Sequence, residues 1–215
     1  AITSNIGNIS NLVNGRPLKS INQYYNKKKA HLMSLMEKGG LKSSKRLRRL
    51  EMKRFCKIKD YLHKTSRRVV ELMYNNNIGT CFIGHNKDWK QEINIGSRNN
   101  QNFVSIPYSL LINMLRYKIE EKGGVLIELN EAYTSKCSFL DNEEVCKHDS
   151  YKGRRVKRGL FLSEIKKALN ADINGSLNIL KRGIGFSFKV ENDIFRPTKI
   201  DIQKKLLNFA CQNKE

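Results

Sequence analysis

The positive charge of this sequence is large enough to oppose its own compaction. Lys and Arg number 41 against 20 Asp and Glu in 215 residues, which gives a net charge of +21. A compact state with this excess is strained by self-repulsion unless a polyanion neutralises it. Nucleic acid is the polyanion we favour, because each neutralised phosphate releases counterions and adds affinity. The alternatives are a basic surface kept for solubility and one that meets anionic lipid.

The rest of the composition favours a folded intracellular protein. A hydrophobic fraction of 39%, with eight Tyr and nine Phe, is enough for a core in a chain of this length. The longest apolar runs are only a few residues, so we expect no membrane span and no membrane partner. The five cysteines are odd in number and scattered, which is no disulfide framework and favours a reducing, intracellular setting. With a nucleic-acid partner, we expect a cytoplasmic, nucleoid-associated protein. The first five residues contain neither an initiator Met nor a signal sequence, so we expect a chain entered part-way.

Residues 41–68 form the most basic segment, with 12 Lys or Arg against Glu51 and Asp60. Apolar residues recur through it at helical spacing, which predicts one long amphipathic helix from about residue 44 to residue 74. The alternative to a phosphate-facing surface is a merely solvated helix face. The residues predicted to bind nucleic acid are Lys45, Arg46, Arg48, Arg49, Lys53, Arg54, Arg67 and Arg68 in this helix, and Arg154, Arg155 and Arg158 further along.

Strands and helices alternate along the remaining chain, which predicts an α/β domain with a mixed sheet. The predicted helices span about 18–37 and 107–122, and a last one begins near Ala171 or Asp172. The predicted strands span 78–83 and 125–129. Residues 130–159 read as irregular structure, and those after Gly183 as a basic, weakly patterned tail.

Three acidic residues lie at positions where α/β folds usually bind ligands. Glu128 and Glu131 lie where the strand at 125–129 leaves the sheet. They cannot share one face of a regular strand, because side chains alternate, so at most one is a metal ligand unless the strand bulges. Asp172 opens the last helix, where a capping or first-turn role is the alternative to metal binding. Two carboxylates from separate elements can hold Mg²⁺, and paired ions promote phosphodiester hydrolysis.

Cys137, Cys146 and His148 raise the question of a zinc site. A closed tetrahedral site needs four ligands at compact spacing, and a second Cys-x2-Cys pair is missing from the sequence. We therefore expect no intact zinc. His63 and His85 are lone histidines, for which packing or hydrogen bonding is the default role.

Seven motifs together resemble the TnpB (OrfB) family of insertion-sequence proteins, which is related to the type V CRISPR effectors. The motifs are NGRPLKSINQYYNKK at 14–28, HKTS at 63–66, IGHNKDWKQ at 83–91, NNQNF at 99–103, YTSKCSFLD at 133–141, RRVKRGLF at 154–161 and NADINGS at 170–176. The resemblance covers nearly the whole chain. It implies a transposable-element protein with a RuvC-like domain of the RNase H-like fold. That domain holds Mg²⁺ on three acids and cleaves a DNA target as an endonuclease directed by a guide RNA.

The resemblance also assigns residues. Asp172 matches the last catalytic aspartate. The first lies just upstream of a segment like residues 1–5, so we expect this chain to lack it. The usual glutamate would fall near residues 83–86, which hold no acid. Glu131 is our preferred replacement and Glu128 the second.

The implied organisation is a RuvC-like domain at 1–183 without its first strand, followed by a basic tail at 184–215. The family's zinc ribbon would occupy residues 137–160 and is degenerate here. A catalytically inactive DNA- or RNA-binding remnant, or a guide-dependent repressor, is the rival function. The motif set disfavours an unrelated ribosome-like RNA-binding protein. The oligomeric state is not indicated by the sequence.

Overall fold

The structure, a computed structural model, describes residues 1–7, 9–85, 106–200 and 202. Four α-helices lie in these ranges: α1 Arg16–Lys38, α2 Lys45–Asn75, α3 Tyr108–Glu121 and α4 Ala171–Ile184. A short 3-10 helix follows at Asn192–Phe195. The first three helices occupy nearly the predicted bounds, and α4 begins at the predicted Ala171.

Eight short strands complete the described fold: β1 Ile2–Thr3, β2 Ser10–Val13, β3 Thr80–Gly84, β4 Val125–Leu129, β5 Arg154–Lys157, β6 Leu160–Leu162, β7 Ala168–Asn170 and β8 Thr198–Ile200. They pair in three small sheets, in the orders β1-β2-β8, β3-β4 and β5-β6-β7. The β2-β8 and β3-β4 pairs are parallel, and the others antiparallel. The predicted mixed α/β class is confirmed, with its strands divided among small sheets.

The two halves of α2 have different surroundings. Ser44 caps the helix by accepting a hydrogen bond from the Leu47 amide at 3.1 Å. In the second half Ile58, Tyr61 and Leu62 are buried against α1 and α3. None of residues 45–57 is buried, so the first half of α2 lies at the surface, with α1 beside it among the described elements.

The β3-β4 pair is covered by a helix on each face. On one face Cys81, Ile83 and Leu126 pack against apolar residues of α3, which connects the two parallel strands. On the other face the ring of Phe82 lies against Gly183 of α4. The predicted strands at 78–83 and 125–129 are thus confirmed, and a helix lies on each side of them.

Residues beyond Gly183 return to the fold. Phe188 and Val190 pack on a core cluster formed by Phe139, Ile173 and Leu177. Strand β8 then pairs with β2 near the start of the chain. Residues 184–200 therefore share the packing of the main body. The boundary at 183/184 stays a prediction. Within the described ranges, no helix has a stretch both long and apolar enough to cross a bilayer.

Candidate functional site

The two faces of the β3-β4 pair separate the acidic candidates. Ile83 is paired with Glu128 in the parallel register, and paired residues project to the same face. Ile83 packs in the cluster beside α3, so Glu128 lies on the α3 face. Gly84 is the next residue and therefore faces α4, as its contact with Ile179 shows.

Glu131 lies on the α4 face, just beyond the carboxyl end of β4. A Cβ built on Gly84 would stand 2.8 Å from Glu131 Oε2 and 2.7 Å from Ile179 Cδ1. Only a residue without a side chain leaves room there for the glutamate. Glu131 is half-buried. Burial and then the nearby Glu131 carboxylate raise the pKa of Tyr108, whose ring stacks on His85. These contacts place the Glu131 carboxylate at the strand exit, beside the helix that Asp172 opens.

Asp172 lies in the first turn of α4 and does not cap it. The cap is Asn170, whose Oδ1 accepts hydrogen bonds from the amides of Asp172 and Ile173 at 2.9 and 3.3 Å. The Asp172 side chain is exposed, and its negative charge is favourable at a helix N-terminus. Asp172 and Ile179 lie on the same helix face about 10 Å apart, because seven residues make two turns. Strand β1 runs beside this face, where Thr3 and Ser176 hydroxyls are 2.8 Å apart.

Glu128 is engaged by basic partners. One carboxylate oxygen is 2.9 Å from His85 Nδ1, and the other accepts a hydrogen bond from the Arg116 guanidinium. This network neutralises the carboxylate on the face away from α4. His85 therefore has the hydrogen-bonding role that was its default prediction. A cation would have to compete with Arg116 for Glu128.

Two buried amides, to which the sequence analysis gave no role, hold the Glu131 turn on α4. Asn174 donates from Nδ2 to the Cys137 carbonyl at 2.8 Å and accepts from the Phe139 amide at 3.0 Å. Asn178 donates to the carbonyls of Thr134 and Cys137 at 2.9 and 2.7 Å. Both asparagines are fully buried. Their i, i+4 spacing on a helix face otherwise made of Ile and Leu was the available signal.

Cys137, Cys146 and His148 lie near one another. Cys146 Sγ is 3.3 Å from His148 Nε2, and the buried Cys137 thiol donates to the Cys146 carbonyl at 3.5 Å. Burial raises the pKa of Cys137, which disfavours the thiolate that zinc requires. The part of the chain that the structure describes holds no group of three or more Cys, His, Asp or Glu side chains placed to bind a metal. The zinc prediction remains for elemental analysis.

The predicted nucleic-acid residues differ in how available they are. Lys45, Arg46, Arg48, Arg49 and Lys53 are exposed on the first half of α2. Arg67 and Arg68 instead pair with Glu71, at 2.9 and 3.7 Å. Arg154, Arg155 and Arg158 are exposed on the hairpin of β5 and β6. Two separate surfaces therefore carry most of the unpaired charge among these candidates.

Comparisons with known proteins find similar sequences over two parts of the chain. A family model described as probable transposase (OrfB_IS605) matches residues 2–90, and one described as the Cas12f1-like TNB domain matches residues 108–179. The TnpB-like protein ORF457 of Acidianus two-tailed virus is 26% identical over 184 residues, which cover 81% of this chain and 36% of that protein. The chain thus spans about a third of the length of this curated relative.

A solved structure described as a Cas12f1-sgRNA-target DNA complex aligns with a TM-score of 0.47 and 17% identity, covering 73% of this chain and 40% of that one. The sequence matches show similarity to probable transposases over residues 2–90 and to the Cas12f1-like TNB domain over residues 108–179, as expected of a transposon-associated protein. These sequence matches support the resemblance to TnpB proteins and type V effectors that the motifs indicated.

Proposed function

We propose that this chain is the nuclease part of an RNA-guided DNA endonuclease with an RNase H-like arrangement, and that Glu131 and Asp172 hold hydrated Mg²⁺. The observation that supports the proposal is the position of Glu131, which packs at Gly84 beside Ile179, two turns along the same face of the helix that Asp172 opens. Glu128 lies on the opposite face, bound to Arg116. An endonuclease acting on DNA would be found at the nucleoid.

The donor chemistry of the two carboxylates suits magnesium. Mg²⁺ prefers oxygen ligands and keeps several waters, so it is often bound through one or two carboxylates together with substrate phosphates. When bound, such a metal activates water and stabilises the leaving oxygen in phosphodiester hydrolysis. The protein's own contribution is to hold one carboxylate half-buried at the strand exit and the other exposed at the helix start. The Asn174 and Asn178 amides keep the two elements together.

Nucleic acid would bind through the exposed cations of α2 and the β5-β6 hairpin. Contacts of Lys and Arg with phosphate add affinity and fix orientation without reading sequence. Sequence specificity would then come from base pairing between a guide RNA and the DNA target. The family resemblance and the net charge of +21 support these partners.

Titration of Mg²⁺ by calorimetry tests the ligands. Glu131→Gln and Asp172→Asn should each weaken binding at least roughly tenfold, since each removes a carboxylate from the site. Glu120→Gln, on the exposed side of α3, is the charge-matched control and should bind as the wild type does. If Glu128→Gln weakens binding and Glu131→Gln does not, Glu128 is the ligand.

Cleavage of a DNA duplex, with Mg²⁺ and a guide transcribed from the transposon end, tests the function. The protein in its natural full length should cut the target, and Asp172→Asn should bind it equally well without cutting. Guide-dependent binding with no cleavage by the wild type would instead support the catalytically inactive binding protein or repressor. Absence of guide-dependent binding would contradict both functions.

A further inference from the structure

A cleft of about 720 Å³ lies between α1 and the first half of α2, away from the candidate metal site. Its floor is apolar and includes Ile21, Leu32 and Leu50. On α1 the lining residues run from Ser20 to Leu32 at helical spacing, a length of about 18 Å at 1.5 Å per residue. The cleft is therefore a groove along the helix pair, long enough for several repeats of a polymer.

The walls of this cleft carry positive charge only. Six cations line it: Lys28, Arg46, Arg49, Lys53, Arg54 and Lys57. No carboxylate among the described residues lines the cleft. Arg46, Arg49 and Lys53 are exposed, and no described acid lies within ion-pair distance of them. Two packed helices with this much unneutralised charge are complementary to a polyanion.

Two tyrosines add flat surfaces to the same cleft. Tyr24 is 59% exposed, which is high for a tyrosine, since tyrosine side chains are usually intermediate in burial. Tyr25 is fixed: its hydroxyl donates to Glu51 at 3.2 Å, and the Arg54 guanidinium lies 4.9 Å from its ring centre. Arg54 is oriented in turn by a 2.8 Å hydrogen bond from its Nε to the buried Asn22. One aromatic ring is thus open, and a second is braced beside a positioned cation.

We infer that the α1-α2 cleft binds a single strand of nucleic acid, with Tyr24 stacking on a base and the cations contacting phosphates. Aromatic faces joined to a positive groove are the usual design for such strands, because every base has a face that can stack. A duplex would gain less here, since its base faces are already covered by neighbouring bases. About 18 Å of groove would accommodate roughly five phosphates at the 3.4 Å spacing of a stacked strand. This inference rests on the proposed function, because that function places single strands on the protein.

Paired charge-removing variants test whether the cleft, rather than positive charge in general, binds the strand. Arg46→Gln with Arg49→Gln removes two cations from the cleft. As the control, Lys27→Gln with Lys38→Gln removes two exposed cations of α1 that do not line the cleft. The probe is a labelled single strand of about 12 nucleotides, within the site sizes known for such grooves. The cleft pair should lower the slope of log affinity against log salt by about 1.4, the value for two phosphate contacts on a single strand. The control pair should change it much less.

A substitution series at Tyr24 tests stacking. Tyr24→Leu should weaken binding of the strand roughly five- to hundredfold, the range for losing one stacked base, whereas Tyr24→Phe should restore it. Tyr74→Leu, an equally exposed tyrosine outside the cleft, should bind like the wild type. RNA and DNA strands and a DNA duplex are compared under the same salt.

The outcomes separate this inference from the proposed function. Equal losses from the cleft pair and the control pair, with no effect of Tyr24→Leu, would overturn the cleft while leaving nucleic-acid binding intact. If the cleft pair and Tyr24→Leu weakened duplex binding more than single-strand binding, the inference would also be overturned. Failure of the wild type to bind any of the three probes would contradict the proposed function itself.

Discussion

At the scale of single residues, Gly84 decides where the Glu131 carboxylate can lie. Gly84 is the last residue of β3. A Cβ added to it would lie closer to Ile179 of α4 and to Glu131 of the turn after β4 than real Cβ atoms approach their neighbours. The glutamate therefore occupies space that a side chain at position 84 would fill. At Gly84 the end of β3, the turn after β4 and helix α4 are therefore in contact.

Gly84→Ala should displace Glu131. The added methyl would stand 2.9 Å from Glu131 Cβ, so either the glutamate or Ile179 must move. Overpacking of this kind costs about 1–3 kcal/mol. We expect a lower free energy of unfolding by denaturant and weaker Mg²⁺ binding by calorimetry. The control is Gly79→Ala, where a Cβ meets nothing within 4 Å; equal effects of the two substitutions would refute the steric argument.

The buried amide of Asn174 should contribute strongly to stability. Asn174→Ala leaves the Phe139 amide without the acceptor it has in this structure and removes a donor from the Cys137 carbonyl. An unsatisfied buried polar group costs about 1–3 kcal/mol, so a loss on the order of 3 kcal/mol is expected in denaturant unfolding. Asn75→Ala, at the exposed end of α2, should cost far less. A small effect at position 174 would mean that water replaces the lost hydrogen bonds.

Side-chain direction at these residues could be predicted from the sequence only in part. The alternation rule separates Glu128 from Glu131, as the structure does, and it left open which of them lies on the side of α4. The answer depends on the turn beyond Leu129 and on a helix packed from 40 residues further along, which are tertiary effects. Asn174 and Asn178 were visible in the motif at 170–176 and its neighbourhood. Their roles as donors to Thr134 and Cys137 required the folded turn.

At the scale of elements, the strength of the local signal explains what could be predicted. The long helices α1 and α2 repeat their apolar spacing over many turns, and β4 is a run of five residues between Gly124 and a polar segment. Strands β1, β2 and β5 to β8 have two to four residues each, too short for a period to show. β8 forms because β2 offers a parallel edge, and β2 lies far away in sequence. Such short strands depend on hydrogen bonding to partner strands that are distant in sequence.

Titration of the Cys81 thiol in strand β3 should change the free energy of unfolding. Burial raises the pKa of Cys81 to about 11. An unfolded cysteine has a pKa of about 8.5, so above that pH the unfolded chain releases a proton that the folded chain retains. The stabilisation is therefore complete below pH 8.5 and is lost as the pH rises towards 11. Its size is on the order of 3 kcal/mol.

Denaturant unfolding at several pH values between about 8.5 and 11 measures this effect. The free energy of unfolding should fall more steeply for the wild type than for Cys81→Val, which has no proton to release. Cys56→Val, at an exposed cysteine of α2, should retain the wild-type slope. If all three proteins lose stability in parallel, the Cys81 thiol is not protected by burial.

At the scale of the whole molecule, the net charge of +21 is concentrated on exposed surfaces. The first half of α2 with α1 forms one such surface, and the hairpin of β5 and β6 forms another, where every residue of β5 is exposed. The second half of α2 keeps its cations closer to acids, as Arg67 and Arg68 do with Glu71. Composition predicts the polyanionic partner, and only the fold shows which cations remain to meet it.

The hairpin cations should therefore contribute more to binding than equal charge on the core half of α2. Arg154→Gln with Arg155→Gln removes two exposed guanidinium groups, whereas Arg67→Gln with Arg68→Gln removes two that share Glu71. With a DNA duplex in fluorescence anisotropy at several salt concentrations, the hairpin pair should reduce the slope of log affinity against log salt by up to about 1.8, the value for two phosphate contacts on B-DNA. The α2 pair should reduce the slope by less, because each arginine already forms an ion pair with Glu71. A hairpin variant with the wild-type slope would remove β5 and β6 from the interface and leave the first half of α2 as the main phosphate-binding surface.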